Sequence, residues 1–260
     1  MLIDAHSHLD GYAELESVLA EINEHRILTI STAVDPASYE RNLEIASRCE
    51  LVLPTFGIHP WAAPRFADHL EELGGFIDQS PMIGEIGLDF HWARDASQYP
   101  AQRKVLEFLL AAAGEQGKTV NLHTKGAERE VLDLLRRYRI QRAIVHWYSG
   151  PLDVFQEMAA YGCYFTVGVE VLTSEHIQKI AREVPPGLLL TETDNPGGYE
   201  WLMGTPGRPS HIIDVVQKLA EVRQVSVEAI AGTVEANFLR LVRDDSWLSA
   251  SCGRILGLDG

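Results

Sequence analysis

A (β/α)8 barrel is the fold this 260-residue sequence predicts, and three observations carry the prediction. Short apolar runs rich in β-branched residues recur along the chain, amphipathic helical stretches separate them, and several runs end in histidine or a carboxylate. The runs cover residues 2–5, 27–33, 51–57, 82–86, 119–122, 142–145, 163–167 and 188–191. Their spacing averages about 27 residues, the length of one strand–helix unit in a barrel of eight. Because the runs are continuously apolar, they read as strands buried on both faces, the mark of a parallel sheet.

The intervening stretches carry the helical period. Val131, Leu134, Leu135 and Tyr138 fall at i, i+3, i+4 and i+7, and so do Val105, Phe108, Leu109 and Ala112 one unit earlier. Ser210 stands where it can cap a helix with Ile212, Val215, Val216 and Leu219 on one face. A doubly wound sheet is the competing architecture, but its Gly-rich phosphate loop is missing: the first strand runs directly into His6-Ser7-His8. One domain over 1–260 is expected, with 243–260 a peripheral C-terminal segment packed down by Trp247.

Composition narrows the function. A chain 46% hydrophobic and 23% charged is globular in character, and no apolar run is long enough to span a bilayer. Thirty-seven acids against 22 bases leave a net charge of −15, which repels polyanions on average and argues against coating nucleic acid or an anionic membrane. Bound divalent cations would reverse the sign locally. The three cysteines, Cys49, Cys163 and Cys252, are odd in number and widely spaced, with no CxxC pair, so a zinc ribbon is excluded. They suit reduced thiols, and the opening residues lack the basic and apolar regions of a secretory signal, so a cytoplasmic protein is expected.

The chemistry collects at strand ends. In a barrel, side chains at the carboxyl ends of different strands converge on one mouth. The first strand ends in His6-x-His8, whose period of two puts both imidazoles on one face. The fourth ends at Glu85, the fifth at His123, the sixth at His146 and the eighth at Asp194. Any one of these alone reads as a hydrogen-bonded loop residue or a helix cap. Together they are costly to desolvate without a common counter-charge, which a binuclear metal centre provides. Zinc or manganese suits four imidazoles, and the two carboxylates keep magnesium open. His59 in Gly57-Ile58-His59-Pro60 faces the same mouth, as a contact to substrate or to metal. Glu192 either shares the face of Asp194 or bonds backbone behind it, and Asp89 either orients a ligand or caps the next loop. His25, His69, His91 and His176 stand in polar contexts and read as surface histidines.

Six segments, IDAHSHLD, FGIHPW, IGEIGLDF, NLHTKGAE, IVHWYSG and LLLTETDNP, occur in this order and resemble the TatD family of metal-dependent deoxyribonucleases, within the amidohydrolase superfamily. The resemblance covers residues 2 to about 240. It implies a distorted (β/α)8 barrel of the metallo-dependent hydrolase type, with two divalent cations. It also implies that His6 and His8 bind one metal, Glu85 bridges both, His123 and His146 bind the second, and Asp194 returns to the first. Three blocks depart from the family pattern. His123-Thr124-Lys125-Gly126-Ala127 replaces HxRDA, so a point charge stands for an arginine fork. Trp147-Tyr148-Ser149-Gly150 replaces a Phe–Ser–Gly ending, and Asn195-Pro196-Gly197-Gly198-Tyr199-Glu200-Trp201 replaces an aromatic and Leu-rich run. These departures leave the metal ligands intact and bear on substrate choice.

A water activated by two cations, with Asp194 taking and returning its proton, can attack a phosphodiester or an acyl carbon, and the ligands do not distinguish them. The resemblance selects phosphodiester hydrolysis. The alternatives are a carboxylic ester or amide hydrolase, for example one acting on ester-linked aminoacyl-tRNA, and a non-enzymatic metal-binding protein. Trp61, Trp92, Trp147 and Trp201 follow strand ends, accompanied by Phe90, Tyr148 and Tyr199. Such rings stack on bases, exclude water as apolar lids, or pack loops. Residues 195–209, rich in Gly and Pro, read as a substrate-side loop. Arg208, Lys125 and Arg94 are the nearest cations for a phosphate, too few to grip a long polynucleotide. The expected partner is therefore a short, single-stranded or terminal DNA substrate, with no membrane and no obligate protein partner.

Overall fold

The computed structural model describes residues 1–258 and contains eight parallel strands alternating with helices. In chain order they are β1 (Leu2–Ser7), α1 (Leu15–His25), β2 (Ile27–Thr32), α2 (Pro36–Ala46), β3 (Val52–Thr55), α3 (Gly74–Gln79), β4 (Ile83–Gly87), α4 (Tyr99–Gln116), β5 (Val120–His123), α5 (Glu128–Arg137), β6 (Ala143–Val145), α6 (Leu152–Tyr161), β7 (Tyr164–Val167), α7 (Glu175–Glu183) and β8 (Leu189–Thr191). Four further helices follow: α8 (Gly197–Met203), α9 (His211–Arg223), α10 (Val227–Arg243) and α11 (Ser246–Cys252). All eight apolar runs become strands. The reason is burial on both faces: every residue of β2, β4, β5, β6, β7 and β8 is buried.

Strands β1–β2–β3 form one sheet and β4 to β8 another, each in sequence order. Sparser contacts bridge the two seams. Phe56 pairs with Ile83 in a single parallel bridge, and Gly84 N–H donates to the Phe56 carbonyl at 2.7 Å. On the other side the Thr191 hydroxyl donates to the Ile3 carbonyl at 2.6 Å and Asp194 N–H to that of His6 at 2.9 Å. The architecture is a distorted (β/α)8 barrel. Its register slips at two places, between Asp4 and Ser7 in β1 and between Ile83 and Ile86 in β4. His6 and Glu85 sit inside those irregular stretches, where a bulged strand can re-aim a side chain.

Local chemistry sets the helix ends. Asp35 and Ser38 form a reciprocal capping box ahead of Pro36 at the start of α2, an arrangement worth about 1 kcal/mol. Ser174 and Ser226 cap α7 and α10 through their hydroxyls. Ser210 differs from expectation: it stands at the N-cap position of α9, but its side chain makes no cap bond. Its N–H instead reaches Glu21 at 3.4 Å. Residues 195–209 are also not an open loop, because α8 occupies their first half. At the C-terminal side, the buried Asp245 caps α11 and accepts from the N–H and hydroxyl of Thr119, at 2.8 and 2.7 Å. Trp247 Nε1 donates to the Gln116 carbonyl at 3.0 Å, tying this segment to the end of α4.

Two glycines permit close approach of the strands beneath the mouth. A Cβ on Gly57 would lie 2.2 Å from the Glu85 carbonyl oxygen, and one on Gly87 1.9 Å from that of His123. Among the described residues, no helix is long and apolar enough to cross a membrane.

Candidate metal centre

Glu85 sits at the middle of the barrel mouth, almost wholly buried, with His6 and His8 nearest one oxygen and His123 and His146 nearest the other, and the His6 and His146 rings stacked 3.8 Å apart. Oε2 lies 3.5 Å from His6 Nε2 and 3.4 Å from His8 Nε2. Oε1 lies 2.9 Å from His123 Nδ1 and 3.0 Å from His146 Nε2. Asp194 Oδ1 joins the first set, 3.2 Å from His8 Nε2 and 3.6 Å from His6 Nε2. Backbone strain holds two of the surrounding positions. Asp194 and Trp147 have φ of 53° and 40°, a left-handed conformation that non-glycine residues adopt at a cost.

The outer ring nitrogens are held in a way that leaves the inner ones free. His6 Nδ1–H donates to Asn121 Oδ1 at 3.0 Å, and Asn121 Nδ2 donates onward to the Ala5 carbonyl at 3.0 Å. His8 Nδ1–H donates to the Thr32 carbonyl at 3.0 Å, and His123 Nε2–H to Asp89 Oδ2 at 3.2 Å. His146 Nδ1 faces Glu192 Oε2 at 3.5 Å. In each of the first three rings the proton is fixed on the outer nitrogen, so a lone pair points inward. His6 Nε2 and His8 Nε2 then meet at 3.3 Å, and His123 Nδ1 and His146 Nε2 at 3.2 Å. Lone pairs converging on carboxylate oxygens repel one another unless a cation lies among them. The donor set therefore fits divalent metal ions.

Electrostatics agree. Burial opposes charge on His8 and His146, but Asp194 and Glu85 push His8 well above its ordinary value, and Glu85 with Glu192 pushes His146 up to about 10. Burial alone would raise Glu85, yet the ring of imidazoles around it, His146 and His6 among them, holds it well below the usual carboxylate range. A site that binds protons this strongly when empty of metal exchanges them for a cation.

His59 stands apart. Its Nδ1 accepts the Trp61 N–H at 3.2 Å, so the neutral ring carries its proton on Nε2, 3.5 Å from Glu85 Oε1. Burial pushes its pKa down to about 3, so it remains neutral. It offers the mouth a donor, not a lone pair.

The centre opens into a cleft of about 1220 Å³ whose lining includes His59, Lys125, Trp147 and Trp201. Lys125 Nζ donates to the Trp147 carbonyl at 2.6 Å and the Ser149 hydroxyl at 2.9 Å, and burial lowers its pKa. Asp89 accepts from the N–H groups of His91 and Trp92 at 2.9 and 2.7 Å and from Trp61 Nε1 at 2.7 Å. It therefore both orients His123 and ties down the loop after β4. Glu192 lies behind His146, accepting from Trp147 N–H at 2.9 Å and the Thr166 hydroxyl at 2.7 Å.

Several expected substrate contacts lie elsewhere. Tyr148 is a core residue: its ring packs on Phe155 and Phe165, and its hydroxyl donates to the Pro151 carbonyl at 2.6 Å. Tyr199 stacks on His211 with centroids 3.8 Å apart. Arg208 pairs with Glu21 at 2.5 Å. These three residues and Arg94 are outside the cleft lining, whereas His91, read as a surface histidine, is part of it. Glu128 and Glu170, which belong to no ligand motif, also line the cleft, and Asn121 holds His6 from behind it. Asn121 had a usable signal: it is a polar residue inside a buried strand, two positions before His123 and so on the same side.

Fold and centre together define a barrel hydrolase dependent on metal. The chain belongs to the TatD family: the model described as TatD related DNase matches residues 3–243. The deoxyribonuclease TATDN3 of Homo sapiens is 26% identical, over 92% of this chain and 94% of its own. A metal-dependent hydrolase of Bacillus subtilis, YabD, is 26% identical over 94% and 99%. Among solved structures, the TatD homologue YJJV of Escherichia coli superimposes with a TM-score of 0.84 at 25% identity, covering 92% of this chain and 97% of that one.

Proposed function

We propose that this protein is a deoxyribonuclease that hydrolyses phosphodiester bonds in short or single-stranded DNA ends with two divalent cations. His6, His8 and Asp194 would hold one cation, His123 and His146 the other, and Glu85 would be shared. The observation that carries this reading is the division of the Glu85 oxygens between two imidazole pairs. A carboxylate serving one cation would not need donors on both sides. Zinc or manganese matches four imidazoles, and magnesium remains compatible with the carboxylates.

When bound, the cations supply Lewis acidity to a phosphoryl oxygen and lower the pKa of the attacking water. The chain's own groups do the remaining work. Asp194, which keeps 21% of its side chain exposed, takes the water's proton and returns it to the leaving oxygen. His59 donates its Nε2–H to a substrate oxygen as negative charge grows there. Asn121, Asp89 and Glu192 keep the imidazoles in register. Lys125 adds one positive charge at the side of the cleft.

The test is metal analysis of the purified protein, followed by chelation, reconstitution and parallel assays on single-stranded DNA, duplex DNA, RNA, aryl phosphodiesters and carboxylic esters. The expected result is about two ions per chain and nucleotide release from single-stranded ends, abolished by chelator. Hydrolysis of esters with none of DNA would overturn the reading in favour of an acyl hydrolase.

A further inference from the structure

Trp61, Trp92 and Trp201 are 58%, 46% and 60% exposed, and they are the only exposed tryptophans among the described residues. All three line the metal cleft. A single exposed indole is ordinary on a protein surface, but three concentrated in one cleft point to a ligand. Trp92 follows β4 and Trp201 lies in α8 beyond β8, on opposite sides of the barrel. Even so, their ring centroids are 6.2 Å apart at 77°, and Trp201 meets Trp147 at 6.0 Å and 75°. The three rings form an edge-to-face chain across the mouth. Its position is tied to the centre, because Asp89 receives the Trp92 N–H and also faces His123.

Charge excludes another mode of binding. The cleft's non-imidazole cations are Lys125 and Arg65, against Asp10, Glu128 and Glu170 besides the carboxylates of the centre. Lys125 is engaged by Trp147 and Ser149, and Arg65 donates to Asp35 at 2.7 Å. A surface with more acids than bases cannot follow a run of phosphates by attraction. Stacking on an aromatic face needs no charge.

We propose that Trp92 and Trp201 form a stacking site for the one unpaired nucleobase next to the scissile bond, so that substrate is gripped by a base and a single phosphate. The inference rests on the phosphodiesterase reading above and assigns its specificity-determining residues. A fragment of two nucleotides then fills the site, and lengthening it adds little affinity.

The experiment compares Trp92→Ala, Trp201→Ala and the phenylalanine variants with the wild type, all metal-reconstituted, on a dinucleotide, a longer single strand, and strands abasic beside the cleaved bond. Each alanine should raise KM on base-bearing substrates about tenfold, with kcat within about twofold, and phenylalanine should recover most of the loss. On the abasic strand the same variants should match the wild type. A second readout uses no turnover: deoxyadenosine should quench the tryptophan fluorescence of metal-free wild type saturably, and the Trp92→Ala/Trp201→Ala double variant should lose that response. If kcat falls while KM holds, the rings are a water-excluding lid and the proposal fails. Unchanged kinetics, or equal losses on abasic and base-bearing strands, also overturn it while leaving the nuclease intact. If the wild type cleaves no DNA, the underlying reading has failed, and a missing deoxyadenosine response would remove the stacking site separately.

Discussion

Asn121 on β5 holds the His6 imidazole of β1 across the barrel interior, with Nδ1 and Oδ1 3.0 Å apart and both side chains fully buried. One amide thereby decides which nitrogen of His6 faces Glu85. Replacing Asn121 with Ala leaves a buried N–H without an acceptor. Metal affinity should fall about 10- to 100-fold, and stability by about 1–3 kcal/mol. Competition with a chromophoric chelator measures the first and denaturant unfolding the second. Wild-type affinity in the variant would show that Asn121 does not orient the ligand.

Glu85→Gln preserves shape while removing the negative charge shared by the two donor sets. Bound metal should drop from about two ions towards one, and turnover by about a hundredfold or more. Elemental analysis with single-strand hydrolysis reads both. Full metal content at normal rate would refute the shared role.

His176 serves as the control. It is an exposed side chain whose Nε2 is 3.0 Å from the Ser149 carbonyl, outside the cleft lining. His176→Ala should leave activity within about twofold and stability within about 0.5 kcal/mol. A serious loss of rate would mean that the active mouth has been placed wrongly.

Far from the mouth, Lys118 is buried beneath the C-terminal segment, with Nζ donating to the Ile77 carbonyl at 2.5 Å and lying 3.7 Å from the Trp247 ring centroid. Burial lowers its pKa from 10.5 to about 8. Between those values the unfolded chain holds the proton that the folded chain has released, so stability rises with pH across that window. Above it the contribution is complete, and below about 8 it is gone. Unfolding midpoints measured from pH 8 to 10.5 should climb less steeply in Lys118→Met than in the wild type. Parallel curves would rule out a depressed lysine.

The strands were legible for a definite reason. Burial on both faces forces an unbroken apolar run, which sequence displays directly, and β1 to β8 appear within a residue or two of the runs. The strand-end donors were legible too, since parallel strands of one barrel present their carboxyl ends on one side. Helix α8 was not. Its Gly and Pro content resembles a loop, and the turn that starts it is held by tertiary bonds from His8 N–H and the Ser7 hydroxyl to the Asn195 carbonyl, at 2.8 and 3.1 Å. Tyr148 and Trp147 adjoin in sequence, yet the left-handed turn at Trp147 sends one ring into the core and leaves the other on the cleft.

From the sequence alone came the barrel, the polarity of its strands and the identity of the groups gathered at its mouth, because periodicity and strand-end placement are local properties of a chain. Only the tertiary structure decided which oxygen of Glu85 meets which imidazole, which nitrogen of each ring is free, and that Trp92 and Trp201 meet across the mouth. Those relations join residues from a few dozen to more than a hundred positions apart, such as Glu85 with His123, His6 with Asn121 and Trp92 with Trp201. The direction of a side chain across such a gap is set by the packing of every element between them, which no window of sequence contains.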